Sequence, residues 1–192
     1  MSEREHDHWI QGVVRARSYT FGVDGKQFLG AVIEPPDGAA WIIDYGEQSP
    51  FHALADHKVM ASGEPYEPTG QRLMAWRGRY DIGHFRVSTM RPVEVTPDVQ
   101  VLEIRAEQEL SGRFERDRAI PESPLAFVTD DGRTFSVFND PAGVVFGKCV
   151  EVSAYPVQPG PAARRSAREY LWIVCPYSMA DLWEWRKRRS GR

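Results

Sequence analysis

Val59-Met60-Ala61-Ser62-Gly63-Glu64-Pro65-Tyr66-Glu67-Pro68 and Val150-Glu151-Val152-Ser153-Ala154-Tyr155-Pro156-Val157-Gln158-Pro159 share one spacing, V-x-x-S-x-x-P-x-x-P. Outward from these two stretches the same landmarks recur in the same order. Gly12 matches Gly112, and Gly38 in its Asp-Gly turn matches Gly132. Trp41 and Ile43 match Phe135 and Val137, while Phe85 and Val87 match Leu171 and Ile173. The separation between matched positions shrinks along the copy, from 100 to 94 to 91 to 86, as it does when the second copy has shorter loops. Chance likeness between strand-rich segments is the bland explanation; a spacing held at the same place in the strand order speaks for internal repetition.

Strand signals dominate the rest. Runs such as GVVRARSY, FLGAVIE, AAWIIDY, HFRVSTM, PLAFVTD, TFSVFND and YLWIVC are rich in β-branched and aromatic residues, and PPDG at 35–38 and DDG at 130–132 separate them with turn chemistry. Each copy reads as a long strand, a hairpin, a connector able to hold a short helix, and two more strands. That order resembles the OB-fold, a five-stranded, partly open Greek-key barrel. The expectation is therefore an all-β chain of two tandem OB-like barrels, residues 9–92 and 107–177, joined by a linker strand over 93–106. A single β-sandwich or another pair of small barrels would satisfy the same strand count.

Two helical signals interrupt this pattern. Ser49 with Pro50 opens one over 49–57, as an N-cap followed by a proline whose missing donor costs nothing there. The other runs from Ser178 into the basic tail ending at Arg192, with Leu182, Trp183 and Trp185 to bury and Arg186 to Arg189 at the negative end of the dipole. In the second copy NDPAGVVFG replaces the first signal and reads as a loop.

Of 192 residues, 42% are hydrophobic and 27% charged, an ordinary globular composition, and the net charge of −3 excludes a protein that coats nucleic acid over its whole surface. No run approaches the ~20 apolar residues of a membrane span, and the acidic, His-containing start is unlike a signal peptide, so the expected location is the cytoplasm without a membrane partner. Cys149 and Cys175 fall in apolar strand-like runs and read as buried thiols.

Basic charge is concentrated where an OB-like barrel presents its ligand-facing loops. Residues 68–86, 159–170 and 178–192 together hold twelve basic and four acidic side chains, a net +8 that leaves −11 elsewhere. The loop before the fifth strand of the first copy carries Arg72, Trp76, Arg77, Arg79 and Tyr80, and its counterpart carries Arg164, Arg165 and Arg168. Guanidinium forks pair with phosphate and aromatic faces accept stacked bases, so these residues form the candidate site for single-stranded nucleic acid or another polyanion. The bland alternative is an arginine-rich surface with Trp76 folded inward.

Catalytic motifs are missing: there is no G-x-S-x-G, Walker loop, G-x-G-x-x-G after a strand, or HExxH. His6 and His8 belong to a terminal HDH cluster, His52 and His57 do not share a helix face, and His84 reads as structural. Asp44, Glu47 and Asp56 are carboxylates that could converge in the first barrel. The strip 45–57 reads as capping and packing, with Phe51 and Leu54 plugging the barrel. The sequence thus points to a non-catalytic binding protein without cofactor or metal. Its rival is a protein-interaction or assembly module of a bacterial-type complex, joined through the C-terminal helix or open strand edges.

Overall fold

The computed structural model describes residues 8–21, 26–44, 48–67, 83–116, 125–141, 144–161, 163 and 168–178. The protein is all-β: eleven strands and one 3-10 turn, with no α-helix among the described residues. Packing divides it into two compact units, Met1–Ala106 with Gly160–Ala162, and Glu107–Pro159 with Ala163–Arg192.

The first unit contains β1 (His8–Phe21), β2 (Lys26–Glu34), β3 (Trp41–Asp44), β4 (Lys58–Pro65), β5 (Gly83–Pro92) and β6 (Val101–Arg105). Antiparallel ladders join β1 to β2, β2 to β3, β4 to β5 and β4 to β1; a parallel ladder joins β3 to β5. Pairing therefore runs β1-β2-β3-β5-β4 and returns to β1. Within the segment 93–106, β6 adds antiparallel to the outside of β5.

The circuit closes because β1 serves two neighbours in turn. Its first half pairs with β4 and its second with β2, and Val13 belongs to both ladders. Gly12 sits at this handover, where an added Cβ would lie 2.5 Å from the Glu34 carbonyl oxygen. Period-two alternation sends one side of each strand inward, so Val14, Ile33, Ile42, Val59, Ala61 and Phe85 form a buried core.

The turn Pro50–Leu54 closes that core from one end. Phe51 N–H donates to the Ser49 hydroxyl at 3.3 Å, so cap and proline stand where the sequence puts them. The helical signal over 49–57 yields only this 3-10 turn. Phe51 and Leu54, three residues apart and both fully buried, match three residues per turn. Asp56, at φ 66, then leaves helical geometry and donates its N–H to Val14 O.

The second unit contains β7 (Gln108–Arg116), β8 (Leu125–Thr129), β9 (Thr134–Val137), β10 (Cys149–Pro159) and β11 (Tyr170–Ser178). Its ladders run β7-β8-β9-β11-β10 and return to β7, with β9–β11 the parallel pair. Register repeats as well as order. Gly12 lies opposite Val59, and Gly112 opposite Val150. The β4–β5 ladder shifts register between Ser62 and Gly63, and the β10–β11 ladder between Ser153 and Ala154. Gly38 and Gly132 both take positive φ in their Asp-Gly turns. The stretch between β9 and β10 forms a loop where described, bridged to β7 at Phe146–Phe114.

One expectation is corrected. Cys149 is exposed, because β10 alternates and sends Val150, Val152 and Ala154 into the core, leaving Cys149 on the outer phase. Ser178, expected to cap the terminal helix, is the last residue of β11, and 179–192 lie outside the described residues.

Candidate ligand-binding site

Of the arginine and aromatic residues that the sequence singles out, Arg72, Trp76, Arg77, Arg79, Tyr80, Arg164 and Arg165 lie outside the described residues. Arg168 is described and exposed, two positions before β11. The anchors of the segment 68–82 are described. Tyr66 N–H donates to the His84 carbonyl at 3.0 Å, holding together the backbone from which that segment departs and to which it returns. The Tyr66 and His84 rings meet edge to face with centroids 5.5 Å apart. The Arg86 guanidinium lies 5.1 Å from the Tyr66 ring centre and pairs with the Glu64 carboxylate.

Beside these anchors is a recess of about 300 Å³, lined by His8, Trp9, Gln11, Trp41, Pro65 and Phe85 among others. Pairing explains the convergence. Trp9 on β1 stands opposite Ser62 on β4, three residues before Pro65, while Trp41 opens β3 opposite Gly83 on β5. A Cβ at residue 83 would come within 2.5 Å of Trp41 Cζ3, so glycine is what lets the indole lie across β5. Trp41 and Phe85 pack edge to face at 5.9 Å. Phe85 is fully buried, whereas Trp9 keeps 65% of its surface in solvent. Among the described residues of the lining, His8 is the only titratable side chain.

Several arginines on the strands, and Arg133 in the turn after β8, are engaged with carboxylates. Arg15 pairs with Glu34 and Asp56, Arg17 with Glu34, Arg113 with Glu115, and Arg133 with Asp131. Arg91 and Arg105 both donate to Glu103, each through Nε at 2.6 Å. Burial of Glu103 pushes its carboxyl up, but the hydrogen bonds and charges of the two guanidinium groups outweigh this and hold it below the usual glutamate value. Much of the positive charge on the described strand surfaces is thus already matched by negative charge.

The second unit has aromatic surface of its own. Trp172 stacks on Phe138 with centroids 5.6 Å apart, and the Arg116 guanidinium lies 5.3 Å from the centre of the exposed Phe146 ring.

Among the described residues no three His, Cys, Asp or Glu side chains group so that they could hold a metal ion. His52 and His57 are half-buried and His84 is buried. Asp56 is ion-paired with Arg15, and Glu47 lies outside the described residues. No described helix is long and apolar enough to cross a membrane. Comparison with protein-family models, curated proteins and solved structures finds no match for the chain.

Trp9 and Trp41 are the site residues that motif reading passes over, Trp41 having served only as a landmark of the repeat. A signal for Trp9 is present. In HWIQGVVRAR, Ile10, Gly12 and Val14 fall on one phase and Trp9, Gln11, Arg15 and Arg17 on the other, which assigns Trp9 to the polar face.

Proposed function

We propose that this chain is a non-catalytic binding protein made of two tandem OB-like barrels, and that its ligand is single-stranded nucleic acid. The architecture is supported by the strand circuit β1-β2-β3-β5-β4, its counterpart in the second unit, the parallel closing pair in each, and the shared register shift. The single observation that carries the function is the aromatic recess beside Tyr66 and His84, the bonded residues that flank the segment 68–82 in sequence. That segment carries Arg72, Trp76, Arg77, Arg79 and Tyr80. Arginine for phosphate and aromatic faces for bases is the combination that single-strand binders use. Arg164, Arg165 and Arg168 occupy the corresponding loop of the second copy.

Fluorescence anisotropy with labelled single-stranded DNA and RNA at low and physiological salt tests this. Binding that weakens steeply with salt, and that Arg77→Ala with Arg79→Ala weakens further, is the expected result. No binding at low salt retires the reading.

A second reading is a protein-interaction module. It is favoured by the matched charges on the strand faces and by exposed Met60, Val93 and Val95 on the described surface. Its partner would be engaged through the segment 178–192, and deletion of that segment would then abolish capture of the partner or change the mass seen by light scattering.

A further inference from the structure

We propose that the recess between Trp9, Trp41 and Phe85 is a slot for one unpaired nucleobase, an inference that rests on the nucleic-acid reading above and gives it a specific contact. Size sets the first limit. About 300 Å³ is the lower end of the range of small-molecule pockets, roughly 300–1,000 Å³, so the recess suits a ring rather than a chain of sugars or a dinucleotide.

Lining chemistry sets the second. Trp9 and Trp41 present aromatic surface to the recess over the buried Phe85, and among the described lining residues there is no carboxylate, ammonium or guanidinium group, so this lining offers little to a phosphate and much to a flat neutral ring. Gln11 and His8 supply the hydrogen-bonding groups of the lining. A glutamine amide both donates and accepts, which suits the polar edge of a heterocycle.

Position sets the third. Pro65 and Phe85 belong to the lining, while Tyr66 and His84, their immediate neighbours in sequence, anchor the arginine-bearing segment. A base in the slot therefore leaves its own phosphates near the Tyr66 and His84 anchors. A proline-rich peptide is the competing occupant of an aromatic recess. The matched charges around it give such a peptide no anchor that a base lacks.

The experiment compares two labelled oligonucleotides of equal length and charge, oligo-dT and its abasic analogue, on the full chain. The wild type is expected to bind oligo-dT roughly tenfold to a hundredfold more tightly than the abasic strand, the range of one or two lost stacking contacts. Trp9→Ala, at a solvent-exposed position, is expected to cut that preference by roughly severalfold to tenfold, the loss of one stacking contact, with a much smaller effect on abasic affinity. Trp41→Phe, which keeps an apolar ring in place, is expected to reduce it. Arg77→Ala with Arg79→Ala should weaken both strands by the same factor. Equal affinity of the wild type for the two strands overturns the slot and leaves the polyanion reading standing. Binding to neither strand overturns both, and quenching of tryptophan fluorescence by a proline-rich peptide would then reassign the recess.

Discussion

Asn139 holds the backbone of Ile173 at both ends of one residue. Its side-chain amide donates to the Ile173 carbonyl at 2.8 Å, and its Oδ1 accepts the Ile173 N–H at 2.9 Å. The contact prolongs the parallel β9–β11 pairing beyond the point where backbone can continue it, after Ser136 N–H to Glu169 O and Phe138 N–H to Leu171 O. The short β9 thus borrows a side chain to finish closing the second unit.

Replacing Asn139 by Ala should therefore cost about 2–4 kcal/mol, because it strands a donor and an acceptor on a residue whose side chain is fully buried. Asn139→Asp should recover part of this, since a carboxylate still accepts from Ile173 N–H but cannot donate to its carbonyl. Urea unfolding of the two variants measures both values. Equal stability of Asn139→Ala and the wild type would show that the clamp is dispensable.

Glu103 gives the first unit an acid-sensitive tie between β5 and β6. Its folded carboxyl is held below the ordinary value of 4.5 by Arg105 and Arg91. A group with a depressed folded value stabilises the fold at pH above its unfolded value, and that stabilisation is lost as pH falls through the folded one. Glu103→Gln should therefore lower stability by about 1–3 kcal/mol at neutral pH, as expected for hydrogen bonds to a charged group. The gap between variant and wild type should close below pH ~4.5. Thermal unfolding at a series of pH values checks this, and a gap that persists unchanged into acid would exclude the ion pairs as its cause.

How far the sequence leads depends on which interaction decides each feature. Strands and Asp-Gly turns are local matters, decided by β-branched runs and by glycines that accept positive φ, and Gly38 and Gly132 stand in such turns. The parallel β3–β5 and β9–β11 pairs join residues far apart in sequence, and no local pattern announces them. The helical signal after Ser49 identifies the cap but overstates the length, because Asp56 is drawn out of helical geometry by its bond to β1. The apolar neighbours of Cys149 suggest burial, although its phase relative to Val150 and Val152 shows the outward face. In the candidate site, arginine-rich loops are visible as composition, while the recess depends on strands bringing Trp9, Trp41 and Phe85 to one end.

Ser136 carries a cost that the fold does not recover. Its hydroxyl is fully buried and finds no hydrogen-bond partner among the described residues. A buried hydroxyl without a partner keeps its desolvation penalty, so replacing it by a methyl group removes that penalty at little loss of volume. Ser136→Ala is expected to leave stability unchanged or raise it by up to about 1 kcal/mol, read as an upward shift of the urea midpoint. A loss of more than about 1 kcal/mol would mean that the hydroxyl is hydrogen-bonded in solution.

Gly12 and Gly112 test whether the two units close by the same device. Each sits where the first strand of its unit passes from one neighbour to the next, opposite Val59 and Val150. A Cβ would stand 2.5 Å from Glu34 O at position 12 and 2.2 Å from Val128 O at position 112. Both obstacles are backbone atoms, which cannot rotate away as a side chain could, so the strands themselves must part. Gly12→Ala and Gly112→Ala should each cost at least ~1–3 kcal/mol, the range of overpacking in a tight interior. Hydrogen exchange locates the damage: the first substitution should lower protection in β1, β2 and β4, and the second in β7, β8 and β10. If either alanine is tolerated without loss of stability or protection, the strand handover in that unit does not depend on its glycine.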